Sequence, residues 1–422
     1  MQTHLQEIDG VNEDDQTRVR DLGSTEHLFW LLDQNRPTHF AMVAEIDQVF
    51  SREAWQRAFR AAQRRHPLLS TYIGSDERMN TAFYGQPDTE VPLRLVEQSA
   101  TSWQAEVARE IATPFDWSRA PLLRATILQG EQGSTLILAA HHSVLDGMGG
   151  AYLIEDLLLA LTGESRSSLQ LVHSLEDVLA SDMKSAVDLP PAPLAPMPKP
   201  FRAGGTETPQ IDALALTAQL TQQLIARARI EQTTVHGAMA AAVNEAGRRL
   251  SPEWRARPVR TVTPIDVRYL ADEVGTANGV YITQTITVAD HIDSRSFWHA
   301  ARKIKRDLSP SQTRATVAAE LKALNAAMSA RPSVQHAAGF LSAVLAFDVL
   351  LSNLGNQPIA SSYNGLTLKA LWGPIVTSGF ADDQIIGLCT IDGMLRLTHV
   401  SFAALPGLLD EVRAVLEAAV TA

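Results

Sequence analysis

The chain has 422 residues, 45% hydrophobic and 20% charged, a balance too apolar for a largely disordered protein and long enough for two or three hydrophobic cores. Its 36 basic residues against 47 acidic ones give a formal charge of -11, which excludes a general attraction for nucleic acid or anionic lipid, so an anionic ligand needs a local basic patch. A single cysteine, Cys389, excludes an internal disulfide framework and a cysteine-rich zinc module.

The first twenty residues are polar and acidic where a secretory signal is basic and then apolar, so the chain reads as cytoplasmic. HFAMVAEI (39–46) is a short apolar run with the character of a strand. Ser51 follows as a helix N-cap, with Glu53 in the first turn and Trp55, Ala58, Phe59 and Ala62 at helical spacing until Pro67. LLRATIL (122–128) and TLILAA (135–140) predict two more strands, and AYLIEDLLLAL (151–161) predicts a helix. Between 188 and 210 the composition changes, with six prolines from 190 to 200, and the stretch reads as an extended linker. It separates an N-terminal domain (1–187) from a C-terminal one (211–422).

The second half opens with a long helical reading over 213–230, then a helix capped by Thr233 or Thr234. VYITQTITV (280–288) and MLRLTHV (394–400) predict strands, and Leu408, Val412, Val415, Leu416 and Ala419 make the apolar stripe of a closing helix. The charge-free stretch 332–347 is shorter than the ~20 residues of a membrane span. The coarse pattern is two α/β sandwich-like layers joined by a proline-rich crossover.

The chemistry-bearing feature is His141-His142-Ser143-Val144-Leu145-Asp146-Gly147, directly after the strand TLILAA and before a glycine-punctuated helix. A strand end holds a side chain rigidly while the following loop leaves it open to a cleft. A neutral imidazole is able to take a proton near pH 7 and return it in the next step. With LGSTEHLFWLL (22–32), RRHPLL (64–69), TPIDVR (263–268) and SNLG (352–355) in order along the chain, this HHxxxDG segment resembles the chloramphenicol acetyltransferase-like superfamily. That superfamily contains condensation domains of peptide synthetases and plant-type acyltransferases, and the resemblance is greatest to bacterial polyketide-associated acyltransferases. The plant-type DFGWG loop is absent.

The resemblance implies an α/β fold of two pseudo-symmetric sandwich domains with a tunnel at their interface. It implies His142 as general base on an acceptor hydroxyl or amine, which attacks a thioester carbonyl without an acyl-enzyme. It also implies that Asp146 turns from substrate to pair with Arg268 of the second domain, and that Gly147 permits the turn and a close approach.

Each residue has a plainer alternative. His142 is otherwise a satisfied core histidine, Arg268 a surface charge, and Asp266 a weaker neighbour. His141 reads as structural, and no third or fourth ligand completes a metal site. Gly147, Gly149 and Gly150 make no dinucleotide fingerprint, and no serine-hydrolase elbow or phosphate loop is present. Ser352 and Asn353 offer hydrogen bonds to an oxyanion or pantetheine arm, or simply form a turn. Trp372 lines a pocket or packs. Arg302, Lys303, Lys305 and Arg306 are a solvated helix face or a landing patch for coenzyme A phosphates or an acidic carrier protein.

The function expected is an acyltransferase moving an acyl group from a coenzyme A or carrier-protein thioester to a hydroxyl or amine of a secondary metabolite or lipid. No bound cofactor, metal, nucleic acid or integral membrane association is expected, and the chain is expected to be a monomer. The alternatives are a free-standing condensation enzyme joining carrier-bound substrates, and a non-catalytic thioester- or carrier-binding module.

Overall fold

The computed structural model describes residues 17–78, 80–190, 195–196, 198–205, 207–290 and 297–421. Two six-stranded sheets dominate them, with a three-stranded sheet at one side. In the first large sheet Phe40–Ile46 pairs antiparallel with Ser134–Ala140, which pairs with Leu123–Gln129, and Leu93–Glu97 lies parallel at the edge. The central runs are apolar throughout because both faces are covered. Phe40, Met42, Leu136 and Leu138 meet the helices Arg52–Arg65 and Gly147–Leu161 on one face. Ala41, Val43, Ile137 and Ala139 face the helix Trp103–Ala112 and the second sheet's Ile385 and Val400 on the other. The Ser51 cap is made as the sequence predicts, its hydroxyl accepting from the Ala54 N–H at 3.3 Å.

The second large sheet runs Ile282–Ala289, Val259–Asp266, Val349–Asn356, Gln384–Ile391, Met394–Ser401 and Gln210–Ala215. The helices Ala218–Ile230, Val235–Leu250, Phe297–Leu308 and Leu408–Thr421 bury its outer face. The single helix expected over 213–230 is replaced by a strand and a shorter helix. Residues 210–215 pair along Met394–Ser401, and Thr217 caps the helix after them. Alanine and leucine favour helix intrinsically, but an open sheet edge supplies a hydrogen-bonded partner that outweighs a few tenths of a kcal/mol per residue.

The chain halves do not coincide with the sheets. Leu366–Val376, from the second half, crosses back to pair antiparallel with Phe40–Ile46 and so extends the first sheet. The crossover expected over 188–210 lies partly outside the described residues. Where described it is anchored: the Ala195 N–H donates to the Ala343 carbonyl at 2.6 Å, and the Arg202 N–H to the Gly379 carbonyl at 2.8 Å. The apolar stretch 332–347 holds the helix Val334–Val344, which packs against Ser24–Asn35. Among the described residues no helix is long and apolar enough to cross a membrane.

Candidate active site

The HHxxxDG segment leaves the central strand of the first sheet where elements of both halves meet, and its residues have sharply different surroundings. His142 is half-buried, with Phe29 stacked flat on its ring at 4.1 Å and 2°, and Phe40 tilted against it at 5.0 Å. Nδ1 is enclosed, with the backbone carbonyls of His142 and Leu145 acting on the ring, so the accessible edge belongs to Nε2. Burial lowers the pKa of this imidazole, while the charge of Asp146 and the backbone carbonyls of His142 and Leu145 act in the opposite direction. The ring is therefore neutral at pH 7.

His141 points to the opposite side and is wholly buried. Its Nδ1 accepts from the Ser143 N–H at 3.2 Å and its Nε2 faces Asp33 at 3.6 Å. Burial takes its pKa down to about 4 despite Asp33. Asp33 is held at about 2: burial opposes its charge, but His39, His141 and the Thr38 N–H overcome that cost. This arrangement shapes the loop from behind and offers no open nitrogen to a ligand.

Asp146 has no exposed surface and all its contacts are structural. One carboxylate oxygen caps the following helix, accepting from the Gly149 N–H at 2.8 Å. The other accepts from Arg268 Nη1 at 2.7 Å and from the Tyr281 N–H at 2.9 Å. The Asp146 N–H donates to the Gly279 carbonyl at 3.2 Å, so residues 279–281 grip Asp146 from the second half. Burial works against the Arg268 charge, but Asp146 and Asp266 outweigh it and raise its pKa. Asp266 is the outer partner, at 3.2 Å from Nη1. The guanidinium also lies 5.1 Å from the centre of the Tyr281 ring.

Gly147 has no left-handed backbone requirement. The space beside it is what demands glycine, since a Cβ there would stand 2.7 Å from Leu354 Cδ2. Leu354 belongs to the SNLG segment, and it, not its polar neighbours, carries that segment to the motif. Asn353 Oδ1 accepts from the Gly355 N–H at 2.8 Å, and Gly355 takes a φ of +70° where the register of the strand Val349–Asn356 against Gln384–Ile391 shifts. Ser352 is buried earlier in the same strand.

Trp372 does not line the site. Its indole N–H donates to Glu45 at 2.6 Å, and it packs with Ala41 and Val43 on the sheet face opposite Phe40 and His142. The basic cluster lies on the helix Phe297–Leu308. There Arg302 pairs with Glu231 at 2.6 Å, Lys303 with Asp307 at 2.6 Å, and Lys305 donates to the Gln232 carbonyl at 3.1 Å. Arg306 is exposed beside them. Phe29, Phe40, Tyr281 and Leu354 are the site residues that sequence reasoning missed. Phe29 stood inside the quoted segment 22–32, but nothing in its spacing marked which side chain faces the histidine.

Residues 29–178 match the model of the condensation domain, and 205–386 match that of the phthiocerol/phthiodiolone dimycocerosyl transferase C-terminus. Phosphinothricin tripeptide synthetase PhsC of Streptomyces viridochromogenes is 33% identical over 151 residues, 33% of this chain and 14% of that protein. The phthiocerol/phthiodiolone dimycocerosyl transferase of Mycobacterium leprae is 26% identical over 285 residues, 60% of this chain and 63% of that protein. The chain thus spans less than two thirds of either relative. Among solved structures, polyketide synthase associated protein 5 from Mycobacterium tuberculosis superposes with a TM-score of 0.68 at 20% identity, covering 95% of this chain and 98% of that one. The first condensation domain of the calcium-dependent antibiotic synthetase, in complex with substrate analogue 3a, gives 0.71 at 18% identity over 96% and 97%. These two likenesses establish the fold, two mixed α/β sheet domains of the condensation and acyltransferase type. Two family models are thus matched one after the other along the chain, and its likeness is to condensation domains in the first stretch and to the C-terminus of phthiocerol/phthiodiolone dimycocerosyl transferase in the second.

Proposed function

We propose that the chain is an acyltransferase that moves an acyl group from a thioester, carried by coenzyme A or a phosphopantetheinyl carrier protein, to a hydroxyl or amine acceptor in secondary metabolite or lipid biosynthesis. The observation that carries this reading is His142, a neutral imidazole with an accessible edge at the meeting point of the two halves. Its Nε2 takes the acceptor proton as the oxygen or nitrogen attacks the thioester carbonyl. The carbon–sulfur bond then breaks, and the proton passes to the departing sulfur. Asp146 and Arg268 hold the loop and touch neither reactant. Cys389 offers no competing route through an acyl-cysteine, because burial pushes its thiol up to about 12.

The test is thiol release from a panel of acyl-coenzyme A and acyl-pantetheine donors, with and without alcohols and amines. Acceptor-dependent release that falls roughly 100-fold or more in His142→Ala supports the reading. Full activity of that variant overturns it. A second reading, condensation of two carrier-bound substrates to an amide, is supported by the condensation-domain match over 29–178. Turnover confined to carrier-bound amines selects it. A folded protein that binds acyl thioesters yet turns over none of them selects a non-catalytic binding module.

A further inference from the structure

At the seam between the halves lies a small cavity, lined by His66, Pro67 and Leu68 just after the helix Arg52–Arg65, by residues 169–172, and by Ala277 and Asn278 of the second half. The space is about 10 Å3, room for one water. Two of the buried side chains that line it carry unbonded polar atoms. Asn278 is 2% exposed, and neither its Oδ1 nor its Nδ2 has a partner among the described residues. His66 is 1% exposed; its Nε2 meets the Asp156 carboxylate at 2.7 Å, while its Nδ1 has no partner among the described residues. Asp156 also accepts from Arg65 Nε at 2.9 Å and from Arg166 Nη1 at 3.0 Å, so the imidazole is anchored to a fixed cluster of charges.

A buried polar atom left unbonded is costly, so Oδ1, Nδ2 and Nδ1 around one enclosed space call for a shared partner. Water fits the space and the chemistry. It donates to Nδ1 of an imidazole whose Nε2 carries the hydrogen, and it meets the amide with its remaining sites. The place of Asn278 in the chain gives the contact a consequence. It stands directly before Gly279, whose carbonyl accepts from the Asp146 N–H at 3.2 Å, and shortly before Tyr281, whose N–H donates to Asp146 at 2.9 Å. Beside it, Thr276 accepts from Arg65 Nη2 at 3.4 Å. We infer that one water, held between His66 Nδ1 and the Asn278 amide, pins residues 278–281 to the first half, and that Asn278 is thereby a positioning residue for Asp146 and the loop that carries His142. The charge cluster around Asp156, the water and the segment gripping Asp146 form one polar path between the halves.

The first test needs no substrate. A high-resolution crystal structure of the full chain is expected to show a water within hydrogen-bond reach of His66 Nδ1 and the Asn278 side chain. A dry cavity, or a direct bond between His66 and Asn278, overturns the inference. Asn278→Leu removes both amide groups at similar volume, and His66→Gln keeps a donor for Asp156 with nothing in the place of Nδ1. In either variant hydrogen exchange at the Asp146 and Tyr281 amides is expected to quicken about tenfold, while that of the buried Ile386 and Leu388 in the second sheet changes less than about twofold. Uniform quickening is general loss of stability and overturns the positioning role, as does no change. Because both side chains act through one water, the double variant is expected to exchange no faster than Asn278→Leu; additive effects overturn the shared water. Only the rate measurement rests on the reading of His142 as the base. There kcat is expected to fall about tenfold in both variants with KM changed less than about twofold. Full kcat beside quickened exchange overturns the link to the loop. If the parent chain turns over no thioester, the reading of His142 fails and the exchange rates still decide this inference.

Discussion

His142 and Asp146 lie four residues apart in one loop, yet their surroundings differ in kind. Asp146 is sealed and each carboxylate oxygen is engaged, one by a helix N-terminus and the other by two donors from the second half of the chain. His142 keeps an edge of its ring open and packs against hydrocarbon rings. The difference shows how stability and reactivity are divided within a short motif. A group that must exchange a proton cannot have its lone pair committed, so rigidity has to come from neighbours: the satisfied aspartate in front and the His141–Asp33 contact behind.

The largest contrast is expected between substitutions at the two ends of the loop. His142→Ala should abolish turnover with a melting temperature near that of the parent. Arg268→Ala should lose about 3–5 kcal/mol of stability in urea titration, because it strands a buried carboxylate. Equal stability losses at the two positions would dissolve the distinction. A pH series sharpens it. His141, His236 and His399 are held neutral by burial, each with a pKa of about 4. Their unfolded values lie near 6.5, so between pH 6.5 and 4 the unfolded chain binds protons that the folded chain does not, and stability should fall as pH falls. Activity should survive into that range, since the His142 pKa is also lowered and its base form persists below pH 6.5. An acid limb above pH 6.5 would contradict the burial argument.

A smaller effect is expected at the contact between halves. Gly147→Ala brings a methyl against Leu354 and should cost about 1–3 kcal/mol, recovered in part by adding Leu354→Ala. Failure of the second substitution to recover stability would place the strain elsewhere. The smallest effect concerns the cationic helix. Replacing Lys303, Lys305 and Arg306 by glutamine should change the KM for coenzyme A donors less than twofold, because Lys303 and Lys305 are already bonded to Asp307 and the Gln232 carbonyl. A tenfold rise would restore the landing-patch reading.

Much of the architecture was legible from local pattern. The Ser51 cap, the apolar strand ahead of His141 and the stripe of the last helix are short-range features, set by periodicity and capping chemistry that neighbours do not alter. The motif's residue types pointed to base chemistry for the same reason: imidazole alone titrates in the right range without help. Where partners were distant, local pattern failed. Residues 213–215 read as helix until Met394–Ser401 offered them a sheet edge. Leu366–Val376 gave no sign that it would leave its own half to pair with Phe40–Ile46. Whether Trp372 lines a pocket or packs was left open, because which face a strand residue takes depends on register. Phe29 and Leu354 acquire their meaning from contacts more than a hundred residues away in the chain. Composition and periodicity therefore determined the class of elements and the kind of chemistry, since both are properties of single residues and their near neighbours. Which side chain stacks on the histidine, which glycine has no room for a methyl and which half completes which sheet were decided by tertiary packing, because those properties exist only once distant segments share the same few ångströms.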